Sequence, residues 1–180
     1  MSQQEIQDKL AAAIEYLTAH PDEARYTDSP ATAVLAESGG LRVEVTGPDG
    51  ARMSTDMPAS VGGTNTTASP GWYLRAAEAS CVATLIAMRA AHEGVAFEGL
   101  EVSVDSESDD RGILGISDEV PAGPLRTRVK VSVREVRVDD EDDSVWASIV
   151  DWAVEHCPVT DAVRRAVPLT VETETREDDS

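Results

Sequence analysis

Ser69-Pro70-Gly71-Trp72-Tyr73-Leu74-Arg75-Ala76-Ala77-Glu78-Ala79-Ser80-Cys81 opens the longest uninterrupted helical pattern in the chain. Ser69 is a good N-cap, because its hydroxyl can accept from a free amide of the first turn. Pro70 suits the first helical position, where no N–H is needed. No breaker follows until Gly94, which supplies a C-terminal stop. Leu74, Ala77, Cys81, Leu85 and Met88 recur at three- and four-residue steps, so they are expected on one buried face. Ala76, Ala79, Ser80 and Ala83 are small and allow another backbone to come close. This pattern predicts the central, buried helix of the domain.

Working upstream, residues 57–69 carry Gly62, Gly63, Asn65 and several threonines without periodicity, and read as an ordered loop. Before it, residues 31–36, 41–46 and 51–54 are short β-prone runs. Ser38-Gly39-Gly40 and Gly47-Pro48-Asp49-Gly50 separate them, which is the signal of an antiparallel meander. Residues 21–30 read as a linker. Residues 3–19 are expected to be helical, with Ser2 and Glu5 as a capping box and Ile6, Leu10, Ile14 and Leu17 at helical spacing.

Downstream, residues 97–104 and 125–138 read as strands. In the second, Val129, Val131, Val133 and Val136 alternate with polar residues except for a slip near Glu135 that suggests a bulge. Residues 106–115 read as a surface loop or as a loop that covers a partner's active site, with nothing in the sequence to prefer the second. The acidic run Asp139-Asp140-Glu141-Asp142-Asp143 complements the positive end of a helix expected over 144–156. Cys157-Pro158 interrupts that helix and begins a shorter one to about residue 166. A last strand over 169–173 and a frayed acidic tail complete the reading. The expected organisation is an N-terminal helix and linker (residues 1–29), one domain (30–175) and a tail (176–180).

The 180 residues carry a formal charge of -19, with 41% hydrophobic and only 4% aromatic side chains. The core must therefore be aliphatic. A charge of this sign repels phosphates and anionic lipid, so neither nucleic acid nor a membrane surface is an expected partner. Its ordinary role is solubility, with a salt-adapted origin as one source. No stretch approaches the roughly 20 apolar residues of a membrane span, and no secretory leader is visible, so the expected address is the cytoplasm. GxSxG, GxxxxGK[ST] and GxGxxG signatures are absent.

Chemistry then rests on two cysteines. Cys81, in mid-helix, reads either as a small inert hydrophobe or as a reactive thiol. Cys157 stands at a helix start, where unpaired backbone N–H groups favour a thiolate. His156 is its chain neighbour and reads as a solvated helix-end residue. A zinc site from Cys81, Cys157 and His156 lacks the usual motif spacing, so neither metal nor cofactor is expected. The residues alone leave two thiols on separate helices, and their meeting is undecided at this level.

The cysteine helix, approached through Val61-Gly62-Gly63 and Ser69-Pro70, is similar to that of the OsmC/Ohr family. The block His156-Cys157-Pro158-Val159-Thr160-Asp161-Ala162-Val163 resembles the family's second-cysteine motif, and the order of elements over residues 30–175 agrees. The resemblance implies an α+β fold, with curved antiparallel β-sheets around two central helices. It also implies an intertwined homodimer with active sites at the subunit interface. It makes Cys81 the thiol that attacks a peroxide and Cys157 the one that condenses with the resulting sulfenic acid, with a lipoyl-type or small dithiol as reductant. The organic-peroxide branch also has a Glu just after the helix-starting proline and an Arg from the meander. Gly71 stands in place of that Glu, which points to a divergent, OsmC-like branch. Glu78 is the candidate to replace it in part, against an exposed or Arg75-paired alternative. Arg42 is the candidate arginine, against an ordinary strand charge. Trp72 and Tyr73 are expected to pack rather than line a pocket. The missing carboxylate keeps a second function open, a non-catalytic protein that binds a small ligand in the same fold.

Overall fold

A computed structural model describes residues 2–37, 40–137 and 143–175. Helix α1 (Gln3–Ala19) begins at a complete capping box. Ser2 accepts from the Glu5 amide while the Glu5 carboxylate accepts from the Ser2 amide at 2.6 Å. Strands β1 (Thr32–Leu35), β2 (Val43–Thr46) and β3 (Arg52–Thr55) form an antiparallel meander. The β1–β2 turn, Ser38-Gly39, lies outside the described residues. Between β2 and β3, Asp49 and Gly50 take positive φ values of 55° and 77°.

The expected central helix is α2 (Pro70–Glu93). Ser69 accepts from the Trp72 amide at 3.3 Å, and Gly94 closes the far end in the left-handed region at φ 72°. Its buried stripe is not the expected one. Glu78, Val82, Ile86, Ala90 and Ala91 face inward, so the inner face is turned by about one residue and Leu74 and Ala77 are left exposed. The cause is packing from several sides. α4 (Asp143–Glu155), the β5 ribbon and α1 all lie against α2, and a periodicity count does not say which flank each takes. Gln3 of α1 fixes its own contact by donating to the carbonyl of Val95 at 2.6 Å.

Both long strand predictions split. Residues 97–104 become β4 (Ala96–Glu98) and β5 (Glu101–Glu107), and residues 125–138 become β6 (Arg126–Ser132) and β7 (Glu135–Arg137). β5 pairs with β6 and β4 with β7, each antiparallel. Gly99 is the reason for the break. It has φ 68°, and a Cβ there would stand 2.8 Å from that of Arg134, so two ribbons can cross only at a glycine. Along β5 and β6, Val102, Val104, Val129 and Val131 turn towards the helices. Asp105–Arg128 and Glu107–Arg126 pair outside.

α4 leads directly into the short helix α5 (Pro158–Arg164). The segment 106–115 contains a single helical turn, α3 (Asp110–Ile113). The strand expected over 169–173 does not form. Leu169 and Val171 are 86% and 74% exposed, because a strand needs a neighbour to receive its hydrogen bonds and one chain offers none there. The acidic runs 139–142 and 176–180 lie outside the described residues. The core unites Val82, Ile86, Val95, Ile149, Ala153 and Cys157, flanked by the inward valines of the sheets. The observed class is α+β, all sheet pairings being antiparallel.

Asp56, at the end of β3, organises the loop that delivers α2. Its buried carboxylate accepts from the Met57 amide and from the amides and hydroxyls of Thr64 and Thr66. Gly63 allows that fold, since a Cβ there would collide with the Met57 carbonyl. The Thr64 hydroxyl first, then the Thr66, Met57 and Thr64 amides, hold the Asp56 pKa far below the usual range against the opposing effect of burial. Because the folded value is depressed, this stabilisation is complete above the ordinary aspartate value of about 4. It fades as the pH falls towards the folded value. Urea unfolding is therefore expected to show Asp56→Asn clearly weaker than the parent at pH 7, with the gap narrowing below about pH 4.

Candidate active site

Cys157 caps α5, and its Sγ accepts from the Thr160 amide at 3.4 Å. The sequence Cys-Pro produces this directly. Pro158 fills the first helical position, so the amides of Val159 and Thr160 remain available to acceptors at the cap. α5 packs on α2, and this brings Cys157 against Cys81. The two thiols lie close enough for each to alter the other's ionisation. They are free thiols.

Their electrostatics differ. Burial, then the hydrogen bond to Cys157 and its negative charge, push the Cys81 pKa up, with the Val159 amide offsetting in part. Burial also opposes ionisation of Cys157, but the Thr160 hydroxyl and amide, the Cys81 thiol and the Val159 amide outweigh it. Cys157 therefore lies below the ordinary thiol value. Exposure runs the other way: Cys157 is 0% exposed and Cys81 only partly buried. The more accessible sulfur is thus the one whose proton must be removed, and the acceptor beside it is the other sulfur.

Glu78 belongs to this cluster. It is 2% exposed, one helical turn before Cys81, and its Oε1 accepts from the Thr160 hydroxyl at 3.3 Å. Oε2 has no hydrogen-bond partner. The alternatives of exposure or pairing with Arg75 are excluded, since Arg75 donates to Ser106 Oγ at 3.1 Å instead. Arg42 takes no part in these hydrogen bonds. It sits just before β2, part-exposed, paired with Glu44 at 2.8 Å. His156 stacks on Trp152 with ring centroids 4.3 Å apart. Among the described residues no group of three or more His, Cys, Asp or Glu could hold a metal ion.

Thr160 is the site residue that the sequence reading passed over. It is buried and joins Glu78 to Cys157. Its one local signal is its place three residues after the capping cysteine. Two clefts, of about 480 and 590 Å³, share Leu74, Gly123 and Pro124. Gly71 and Arg75 line the first, and Val159 and Val163 the second. Trp72, half-exposed, stands edge-on to Tyr73 and lines neither.

Thiolate absorbance followed against pH is expected to rise in two stages, one below and one above the ordinary thiol value. Cys157→Ala should abolish the early stage and shift Cys81 downward, since the acceptor and charge that raise it are gone.

The chain's relatives agree with this architecture. Residues 63–172 match the family model described as OsmC-like protein. Among solved structures, the OsmC-like protein of Mycoplasma pneumoniae superposes with a TM-score of 0.63 at 13% identity, covering 78% of this chain and 89% of that one. An OsmC-like protein of unknown function from Vibrio cholerae gives 0.60 at 10% identity, over 76% and 94%. A Legionella pneumophila structure described as an organic hydroperoxide resistance protein OsmC gives 0.50 at 21% identity, over 77% and 90%. No curated protein matches the chain by sequence. With its family model spanning more than half of the residues and this fold around two cysteines, the chain belongs to the OsmC-like protein family.

Proposed function

We propose that the protein is a dithiol peroxidase that reduces organic hydroperoxides in defence against oxidative stress. The observation that carries this reading is the convergence of the two thiols where α5 packs on α2, with Cys81 as the accessible member. Cys157 accepts the Cys81 proton as a peroxide enters. The Cys81 thiolate attacks the terminal oxygen, the O–O bond breaks, and the departing alkoxide takes a solvent proton to leave as alcohol. Cys81 is left as a sulfenic acid. Cys157 then forms the S–S bond as the S–O bond breaks and water leaves. A dithiol reductant, lipoyl-type or a small thiol, accepts the oxidation by exchange and restores both thiols.

The largely apolar clefts, the second of which reaches Val159 at the start of α5, suit an alkyl chain better than hydrogen peroxide. A homodimer completes the site in this reading. Val34 and Leu35 of β1, together with Leu169 and Val171, are apolar surface that a second copy would cover, and a second copy's meander would carry an Arg42 to the clefts. Gly71 favours a second reading, a non-catalytic protein that holds a small ligand in the same clefts. A side chain has room there, since a Cβ would stand 3.8 Å from Arg75 Nη1, yet no carboxylate is present.

Cumene hydroperoxide with dihydrolipoamide separates the two. Turnover is expected for the parent and loss of it for Cys81→Ser, whereas Cys157→Ser should accumulate over-oxidised Cys81. Gly71→Glu should raise the rate by placing a carboxylate beside Arg75. Peroxide consumption no greater than that of a protein with both cysteines replaced by serine would favour the binding protein.

A further inference from the structure

We propose that Thr160 and Glu78 form a proton relay for Cys157, which makes the second thiol a nucleophile at the moment disulfide formation requires it. This inference rests on the peroxidase reading and assigns it a second half. After Cys157 has accepted the Cys81 proton it is a neutral thiol, a poor nucleophile. It is 0% exposed, so no bulk base reaches it. The Thr160 amide donates to that sulfur at 3.4 Å, and the Thr160 hydroxyl donates to Glu78 Oε1 at 3.3 Å. One residue thus ties the buried sulfur to the buried carboxylate.

Two arrangements of this chain carry the same number of protons. In one, the Cys157 thiol faces the hydroxyl, which donates to the Glu78 carboxylate. In the other, the carboxylic acid donates to the hydroxyl, which donates to the Cys157 thiolate. Passing from the first to the second moves the thiol proton to Glu78 through Thr160. The thiolate then attacks the Cys81 sulfenic sulfur. As the S–S bond forms, the S–O bond breaks and hydroxide leaves. The hydroxide takes a solvent proton at the accessible Cys81 and becomes water. When the dithiol reductant opens the disulfide and releases its own two protons to solvent, Glu78 returns its proton through Thr160 and Cys157 to Cys81. Protons balance, and Glu78 ends as it began. A carboxyl buried without a cation is costly to keep, and among the described residues no cation pairs with this one. Its place one turn before Cys81 and against Thr160 gives that cost a use. Thr160 touches a reacting sulfur, while Glu78 acts through it as a positioning and proton-holding residue.

The test compares the parent with Glu78→Gln, Thr160→Val and Thr160→Ser. Each reduced protein receives one equivalent of cumene hydroperoxide, is quenched over time with a sulfenic-acid-trapping dione, and is weighed intact. The relay predicts that Glu78→Gln and Thr160→Val slow disulfide formation relative to sulfenic acid formation by about 100-fold, the lower range for loss of general base catalysis. Both should accumulate Cys81 sulfinic acid in excess peroxide. Thr160→Ser, which keeps the hydroxyl, should restore condensation, and equal thermal melting of the Val and Ser variants removes folding as the cause. Condensation at the parental rate in Glu78→Gln and Thr160→Val, or a Ser variant as slow as Val, would overturn the relay and leave the peroxidase standing. A parent protein that forms no sulfenic acid at all would instead overturn the peroxidase reading, and the relay with it.

Discussion

The meeting of two sulfurs, one from the middle of α2 and one from the cap of α5, gives the rest of the architecture its chemical meaning. Neither sulfur would carry much alone. Cys81 in isolation is a thiol whose ionisation burial opposes, and Cys157 in isolation is a buried cap. Placed together they divide the work: one is accessible and holds the proton, the other is enclosed and accepts it. The Thr160 hydroxyl, then the Thr160 amide, with a smaller part from the Val159 amide, tip the balance towards ionisation of Cys157.

The surrounding structure serves to hold α5 against α2. α4 anchors one side through Ile149 and Ala153, which join Val82 and Ile86 in the core, and full burial of the Val and Ile side chains stabilises by roughly 1.5–3 kcal/mol each. The inward valines of β5 and β6 close the other side. Further out, Asp56 and Gly63 shape the loop that sets the entry of α2, and Gln3 ties α1 to the turn beyond its end. Rigidity near the thiols follows from this layering. The meander and residues 167–175 carry exposed apolar side chains, Val34, Leu35, Leu169 and Val171 among them.

What was legible in the sequence was local. Ser2 with Glu5, Ser69 with Pro70, Gly94, and Cys157 with Pro158 each state where a helix begins or ends, because caps are decided by residues within one turn. The Gly47–Gly50 turn of the meander was readable for the same reason. What depended on distant partners was not. The inner face of α2 was misplaced by one residue, because Glu78 is polar and its burial is understood only once Thr160 lies against it. The breaks at Gly99 and Arg134 arise from two ribbons crossing, and the strand expected over 169–173 had no neighbour to pair with. Of the site, the two cysteines and Glu78 could be named beforehand. Their convergence, and the part of Thr160, required the fold. Arg42 is legible as a charge on the meander, and its tie in one chain is to Glu44.

Anomalous sulfur scattering from crystals of the reduced protein tests the central contact most directly. The account predicts that the Cys81 and Cys157 sulfurs lie within hydrogen-bonding contact of each other, with Cα atoms less than about 7 Å apart, the reach of a disulfide. Sulfurs separated by a packed side chain or by solvent, with Cα atoms beyond that reach, would contradict it.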